Sequence, residues 1–359
     1  MTNKAVISSA QLFGILFLSR MVINITYSPL MFGSGNIWDH IISAVISFVL
    51  TFILVIPMYK ICTLRPNMTI ADNSYFLFGK LGYIFIFVYA VYYLCVCGYT
   101  LSMFNMFVTN VMSPNISVVV LSIAIILTSC YGAFKGIEAL VRASGVLLAL
   151  ICLALIFLII SLIPQIDTLN YVPFMLSGTG DVKRGVLLMV SRTSCIPVMG
   201  MILPMVKGSV KKGIIKWNTA VYASIIVLIY VMVGSMGDYL KTQMFPVYTA
   251  ASIAELGILK RLDALYLGIW STGLFVKISL FLFVFSLCVS RIFGERSGRI
   301  SVFVGGVLVA IAGILVEKYK QFSVYLYNVD FFLVFTIITA VIIPLLLLCM
   351  DAIKNRLRG

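Results

Sequence analysis

The feature that most constrains this chain is a series of ten long apolar segments joined by short polar connections. Each segment is long enough to cross the hydrocarbon core of a bilayer as a helix, and only helices and closed barrels satisfy every backbone group there. The ten segments lie at about 8–31, 38–59, 81–110, 116–133, 140–163, 185–206, 215–237, 262–290, 300–316 and 324–350. The sequence therefore predicts an all-α membrane protein with about ten transmembrane helices, surrounded by the lipid bilayer.

The composition excludes a soluble protein. Hydrophobic residues make up 62% of the 359 residues and charged residues only 11%, whereas a soluble domain is about half apolar and about a quarter charged. The net charge of +14 lies in short loops between the segments, so we expect no nucleic acid partner. With a cytoplasmic N-terminus, sixteen Lys and Arg lie inside and seven outside. This bias predicts that the N- and C-termini are both cytoplasmic.

Residue types that carry enzyme chemistry are scarce in this chain. The eight cysteines form no CxxC pair and there is one histidine, so no cluster of metal ligands is visible. No Gly-rich phosphate loop ends in Lys-Ser or Lys-Thr, and no acid pair or nucleophile–histidine arrangement is present. We expect a protein that is not an enzyme and has no cofactor and no metal site.

The sixth segment, Gly185–Val206, is interrupted in its middle. Pro197 has no N–H and would clash with the carbonyl of Thr193, so a continuous helix is not expected there. Backbone freed at membrane depth is tolerated where it lines a cavity, and transporters hold small polar ligands at such breaks. The residues expected to contact a ligand are Ser191, Arg192, Thr193, Ser194, Pro197 and Gly200. A kinked helix with a purely structural role is the alternative.

The first segment weakens at Pro29, which disfavours a helical conformation at the residue before it. A half-helix N-terminus near such a break presents unpaired N–H groups that suit a carboxylate. We expect the ligand to contact Asn24, Ile25, Thr26, Tyr27 and Ser28 here. Hydrogen bonding between helices, which is common for such residues in membranes, is the alternative.

The two halves of the chain share a layout. Segments 1 and 6 are interrupted, segments 3 and 8 are unusually long, and interfacial stretches occur at Thr69–Phe78 and Phe245–Leu256 on opposite sides. This pattern predicts a five-plus-five inverted repeat with a ligand site near the midplane. We expect a single membrane domain over residues 1–359, with one repeat at about 8–163 and the other at about 185–350.

Three cations lie within the segments: Arg20, Arg192 and Lys277. No carboxylate lies at a comparable depth, and an intramembrane cation costs roughly 3 kcal/mol on insertion scales, so each requires an explanation. Arg192 could meet a ligand carboxylate or exposed carbonyls. Lys277 could take the place of a coupling cation as a tethered ammonium, or it could have a structural role at the carbonyl ends of broken helices.

The block Lys241–Trp270 resembles the spore germination permeases, the B subunits of germinant receptors. In that family a Pro-led outer helix is followed by a Gly, an Arg-x-Asp/Glu-Ala/Ser motif and a Trp in the next span. The matching residues are Pro246, Gly257, Arg261, Asp263, Ala264 and Trp270. Gln11–Gly14 and the basic stretch Lys207–Lys212 are also similar. The family belongs to the amino acid–polyamine–organocation superfamily, whose fold is LeuT-like; that superfamily usually has a Gly-x-Gly turn in the first span, where this chain has Ile23–Ile25.

The resemblance implies a membrane subunit of a spore germinant receptor that binds a small polar germinant such as an amino acid. It also implies the inner membrane of the spore and two partners, a larger membrane subunit and a lipoprotein subunit. Arg261 and Asp263 are two residues apart and do not share a helix face, so we expect one or both to contact another subunit. A secondary amino-acid transporter coupled to protons or sodium, and a membrane subunit that binds nothing, are the alternatives.

Overall fold

The computed structural model describes residues 6–26, 36–112, 115–172, 179–256, 259–260, 263–319, 321–322 and 327–356. Almost all regular structure in these residues is helical, as the hydropathy pattern predicts. The helices are α1 (Ser9–Thr26), α2 (Ile37–Leu64), α3 (Ile70–Phe78), α4 (Gly82–Phe107), α5 (Val118–Lys135), α6 (Ile137–Leu162), α7 (Thr179–Ser191), α8 (Cys195–Ile202), α9 (Val210–Met236), α10 (Pro246–Ile253), α11 (Asp263–Phe293), α12 (Glu295–Lys318), α13 (Val329–Ile337) and α14 (Ile343–Arg356).

Nine helical runs in the described residues are long and apolar enough to cross a membrane, and α1 adds a shorter apolar helix. They coincide with the ten predicted segments, which are called spans 1 to 10 below. Spans 1 to 5 are α1, α2, α4, α5 and α6. Spans 6 to 10 are α7 with α8, α9, α11, α12, and α13 with α14, the last two joined by a π-helical turn at Ile338–Ile342. The prediction of an all-α membrane protein is confirmed.

The contacts between spans follow the predicted repeat. Span 1 packs against spans 5 and 7, and span 6 packs against spans 10 and 2. In the same way span 3 packs against spans 9 and 10, and span 8 packs against spans 4 and 5. Adding or subtracting five from each span number converts these pairings into one another, as expected for two halves built on one plan. The halves differ in one respect, since span 8 packs extensively against span 9, whereas span 3 touches span 4 only slightly.

The interfacial stretches are short helices in both halves. Thr69 caps α3, with its hydroxyl bound by the Asp72 N–H while the Asp72 carboxylate accepts from the Thr69 N–H; this capping box explains where α3 begins. In the second half, Pro246 is the first residue of α10, the position where a missing N–H costs nothing.

Span 6 lies at the centre of the bundle, because 89% of its most apolar stretch is buried. The corresponding fraction is 72% for span 8 and only 22% for span 5. Large apolar side chains such as Val120, Leu127 and Val146 are exposed on α5 and α6, as expected of a surface that faces lipid. Span 6 is therefore held by protein on nearly all sides.

The start of span 1 is joined to the end of span 6 by a parallel pair of two-residue strands, β1 (Ile7–Ser8) and β2 (Val206–Lys207). A second, antiparallel pair, β3 (Glu255–Leu256) and β4 (Leu259–Lys260), follows α10. The first pair places α1 and α8 in one connected unit at this end of the bundle. Spans 1 and 6, the two spans for which breaks are predicted, are thus linked through their backbones.

Candidate functional site

Span 6 is interrupted between the last residue of α7, Ser191, and the first residue of α8, Cys195. The break confirms the effect expected of Pro197. In a continuous helix Pro197 would face the carbonyl of Thr193 without an N–H to donate. Here Pro197 is the third residue of α8, where an N–H has no intrahelical partner in any case.

Side chains from other spans satisfy the carbonyl groups that α7 leaves open at its end. Arg20 Nη2 donates to the carbonyl oxygen of Met189 at 2.7 Å, and the Thr336 hydroxyl donates to that of Ser191 at 3.2 Å. Thr193 Oγ1 also donates to Met189, at 3.0 Å. The broken end is therefore stable at membrane depth because α1 and α13 supply donors to it.

Lys277 on α11 reaches the same place. Its Nζ lies 2.8 Å from the carbonyl oxygen of Ser19, 3.4 Å from Ser19 Oγ and 3.4 Å from Ser194 Oγ. Gly273, one turn earlier on α11, allows this approach, because a Cβ there would lie 2.5 Å from Val22 Cγ2 on α1. Among the described residues the ammonium is thus held by uncharged oxygens of spans 1 and 6.

Arg192 lies in the break itself and is surrounded by aromatic rings. Its Cζ is 4.2 Å from the ring centroid of Tyr99 and 5.1 Å from that of Phe332. Its Nη2 donates to the carbonyl oxygen of Tyr327 at 3.2 Å. The contacts with the ring faces stabilise the guanidinium through cation–π attraction but leave most of its donors free.

These groups surround a small cavity at the interruption. Its free space is about 10 Å³, about what one water molecule requires, so the site is closely packed in this conformation. Spans 1, 3, 6, 8 and 10 all contribute to its wall. The residues that line it are Ile23, Val96, Tyr99, Ser191, Arg192, Ser194, Lys277 and Phe332.

The predicted site residues of span 6 divide into two groups. Ser191, Arg192 and Ser194 line the cavity, and the Thr193 hydroxyl is bound to the end of α7. Pro197 and Gly200 lie within α8 and away from the cavity wall. The Pro197 carbonyl accepts a hydrogen bond from Tyr93 Oη at 2.8 Å. Gly200 is packed so closely that a Cβ would lie 2.6 Å from Met58 Sδ, which indicates a packing role.

The predicted site residues of span 1 are mostly not at this cavity. Asn24 is half-buried in α1, and its Nδ2 lies 3.9 Å from Met21 Sδ. The Ile25 carbonyl accepts a hydrogen bond from Tyr266 Oη at 3.0 Å. Thr26 ends α1, and its side chain, Tyr27, Ser28 and the predicted break at Pro29 lie outside the described residues. It is Ile23 that reaches the cavity from span 1.

A second cavity, of about 40 Å³, lies between α1, α6, α10 and α11. Its lining is almost wholly apolar and includes Ile25, Leu158, Tyr266 and Trp270. A polar solute would lose its hydrogen bonds to water there without replacement. This cavity is therefore not a candidate site for such a solute.

Of the two residues predicted to contact another subunit, the structure describes one. Arg261 lies outside the described residues. Asp263 is the first residue of α11 and is buried, and its Oδ2 accepts a hydrogen bond from Tyr248 Oη at 3.4 Å. The Asp263 carboxylate is thus bonded within the chain, and contacts of Arg261 and Asp263 with another subunit stay a prediction.

The sequence analysis missed the aromatic part of the site, above all Tyr99 and Phe332. A signal for Tyr99 was present, since Tyr89, Tyr92 and Tyr99 recur at spacings of three and seven on one face of span 3. Tyr89 Oη donates to the Thr339 carbonyl at 2.5 Å. Polar tips at helical spacing in an apolar span predict contacts with carbonyls of other spans. Phe332 had no comparable signal.

Comparison with known proteins places the chain among germination proteins by sequence and among transporters by fold. The family model described as "Spore germination protein" matches residues 6–321. Spore germination protein KB of Bacillus subtilis (strain 168) is 24% identical over 309 residues, which cover 82% of this chain and 81% of that protein.

Two solved transporter structures share the fold, each at 12% sequence identity. A Na⁺-coupled sialic acid symporter in a substrate-bound, outward-open state aligns with a TM-score of 0.65 over 94% of this chain and 79% of its own. The manganese transporter of Eremococcus coleocola, in complex with an aromatic bis-isothiourea compound, aligns with a TM-score of 0.60 over 94% of this chain and 78% of its own. The predicted LeuT-like fold is thereby confirmed.

Proposed function

Since the chain belongs to the spore germination protein family, we propose that it is the membrane subunit of a germinant receptor. It binds a small nutrient germinant, an amino acid or a similar solute, at the interruption of span 6 and passes the signal to partner subunits. The observation that carries this proposal is the cavity where Arg192, Ser194 and Lys277 converge from two distant spans. Buried polar and charged groups inside a bilayer are costly, and they usually mark a site of function.

The two halves of span 6 have different attachments, which gives a ligand something to act on. α8 is tied to α1, because Cys195 Sγ donates to the Leu16 carbonyl at 3.5 Å and β1 pairs with β2. α7 packs against α2 and α13 and is tied to α13 through the Thr336 hydroxyl, while the Arg20 side chain links it to α1 by a hydrogen bond to Met189. A solute between the halves contacts both units, and it shifts their equilibrium by the difference in its affinity for the two arrangements.

The remaining parts of the proposal concern location and partners. The receptor lies in the inner membrane of the spore, as the resemblance to the germination permeases implies. Both of its termini are cytoplasmic, because most Lys and Arg of the connecting loops fall on their side of the membrane. Its companions are a larger membrane subunit and a lipoprotein subunit. The block around Arg261 is the surface proposed for one of these contacts.

A secondary amino-acid transporter is the second candidate, favoured by the fold shared with a symporter. Lys277 argues against coupling to sodium, whereas coupling to protons is decided by the uptake measurement described below. Its ammonium is bonded to Ser19 and Ser194 oxygens, as an exchangeable coupling cation would be in a carrier. A tethered cation cannot leave with the solute, so a transport cycle driven by sodium has no ion to exchange at this position.

The test uses the full chain, purified with its co-encoded subunits and reconstituted in liposomes. Binding of radiolabelled amino acids is measured first, followed by uptake under sodium and proton gradients. We expect saturable binding without concentrative uptake. Ser194→Leu fills the cavity and should abolish binding, whereas Thr128→Leu, on the exposed face of α5, should leave it unchanged. Concentrative uptake by the wild type would favour the transporter, and full binding by Ser194→Leu would exclude this site.

A further inference from the structure

Four buried hydrogen-bond donors around the interruption have no partner among the residues that the structure describes: Arg20 Nη1, Arg192 Nε, Arg192 Nη1 and Tyr99 Oη. Arg20 and Tyr99 are 2% exposed and Arg192 is 8% exposed. A buried polar group left without a partner costs about 1–3 kcal/mol, and a charged one costs more. Four such groups in one region therefore require a common explanation.

The four donors belong to one cluster. The Arg192 guanidinium lies against the Tyr99 ring, and both residues line the cavity together with Lys277. Arg20 is bonded to Met189, three residues before Arg192 in the chain. Arg20 also lies close enough to interact electrostatically with both Tyr99 and Lys277.

The cluster has positive charge without compensation among the described residues. Arg20, Arg192 and Lys277 donate to carbonyl or hydroxyl oxygens, and none of the ion pairs in the described part of the chain includes them. A neutral solute would give the free N–H groups an acceptor but would leave the charge. An anion would do both, through charge-assisted hydrogen bonds that are about twice as strong as neutral ones.

We propose that this cluster is an anion subsite that binds the carboxylate of the solute, with Arg192 and Tyr99 in contact with it and Arg20 and Lys277 adding positive potential. The proposal rests on the proposed solute site and specifies its ligand class. Small carboxylates bind, and a carboxylate without an ammonium group binds at least as well as an amino acid, because three cations repel the ammonium. A chloride ion from solution has the same charge and is the other source of an anion.

The experiment measures ligand-induced thermal stabilisation and calorimetric affinity of the full chain in nanodiscs, in a chloride-free HEPES buffer. Three solutes of equal size differ in charge: lactate is an anion, alanine a zwitterion and alaninamide a cation. We expect lactate and alanine to bind, lactate at least as tightly, and alaninamide to be at least 100-fold weaker. Arg192→Gln should weaken lactate binding at least tenfold, whereas Arg142→Gln, at an exposed position on α6, should not change it.

Two further arms make the outcome decisive. Tyr99→Phe removes only the hydroxyl group and should weaken lactate binding three- to tenfold, so a test remains if Arg192→Gln fails to fold. In a further measurement, chloride is added to the chloride-free sample before lactate. If chloride raises the thermal stability and lactate then raises it no further, the cluster binds an inorganic anion, and the carboxylate subsite is overturned. Equal binding of alaninamide and lactate, or no binding of any of the three, would overturn it as well. Binding of radiolabelled alanine in the liposome assay that alaninamide displaces as well as alanine does would overturn only the carboxylate subsite and would leave the proposed function intact.

Discussion

One cation site of this protein is buried at its centre and another is partly exposed at the end of the bundle that contains α3, and the comparison between them shows what an acid partner decides. At the centre, Arg192 stacks on Tyr99 at 4.2 Å and its hydrogen bond goes to a carbonyl. At the end of the bundle that contains α3, Arg65 stacks on Phe76 at 4.4 Å and forms an ion pair with Asp351. Both arginines lie against an aromatic ring, but among the described residues only Arg65 is paired with a carboxylate.

Near the Arg65–Asp351 pair, a second arginine also lies against an aromatic ring and pairs with a carboxylate. Arg291 lies 4.7 Å from the Tyr75 ring centroid and pairs with Asp72 at 3.2 Å, while Lys354 Nζ donates to the Leu77 carbonyl at 2.8 Å. Through these contacts α3 is fastened to α11 and α14. Where an acid neutralises the cation, the pair holds helices together. Where no acid is present, the positive charge remains available to a ligand.

The largest expected effect is on binding, at the centre. Lys277→Met removes one of three uncompensated charges and should weaken binding of an anionic solute by about 100-fold, or about 2.7 kcal/mol. Thermal stability should be unchanged or higher, because a buried cation without a counter-ion carries a desolvation cost that a methionine of similar length does not. Calorimetry and a thermal-shift assay on the same nanodisc sample separate the two quantities.

The matched control for that variant is Lys241→Met, since Lys241 is exposed and pairs with Asp238 within its own turn. It should alter neither quantity. A large loss of stability in Lys277→Met, with affinity retained, would mean that the central ammonium has a structural role like that of the cations near α3.

At the α3 end, the expected effect is on stability. Asp351→Asn leaves the mostly buried Arg65 without its counter-ion and should lower the free energy of unfolding by about 1–3 kcal/mol. Arg65→Met combined with Asp351→Asn should recover part of this loss. A double-mutant cycle in an SDS-titration unfolding assay measures the interaction free energy between Arg65 and Asp351. If the effects of the two single substitutions simply add, the ion pair does not contribute to stability.

A smaller effect is expected for Arg291→Gln, which breaks the pair with Asp72 and leaves the capping box of α3 intact, since the Arg291 and Asp72 side chains are 38% and 33% exposed. Solvent-exposed pairs contribute about 1 kcal/mol or less, and salt screens them. The loss in unfolding free energy should therefore be below about 1 kcal/mol and should shrink further in high salt. Glu138→Gln breaks the more exposed, 3.9 Å pair with Arg142, and no change should be measurable there. A loss equal to that of Arg291→Gln would remove the distinction between the two pairs.

Several parts of the fold and of the site could be predicted because their causes are local in the sequence. Pro197 lies four residues after Thr193, so the clash that ends α7 follows from the chain itself. Thr69 and Asp72 are spaced for a capping box, and α3 begins where they place it. The rarity of charge inside the spans also identified Arg192 and Lys277 as residues with a special role.

What the sequence alone determined, then, is the number of spans, the place of the break in span 6 and the presence of cations with no acid at their depth. Only the tertiary structure decided that Lys277 meets Ser19 and Ser194, that Arg192 is enclosed by Tyr99 and Phe332, and that Gly200 serves packing. Hydropathy and proline effects act within a few residues of chain. The distances between residues 19, 99, 192 and 277 depend on how five spans pack against each other. Because these residues are far apart in the chain, patterns that act within a few residues do not specify those distances.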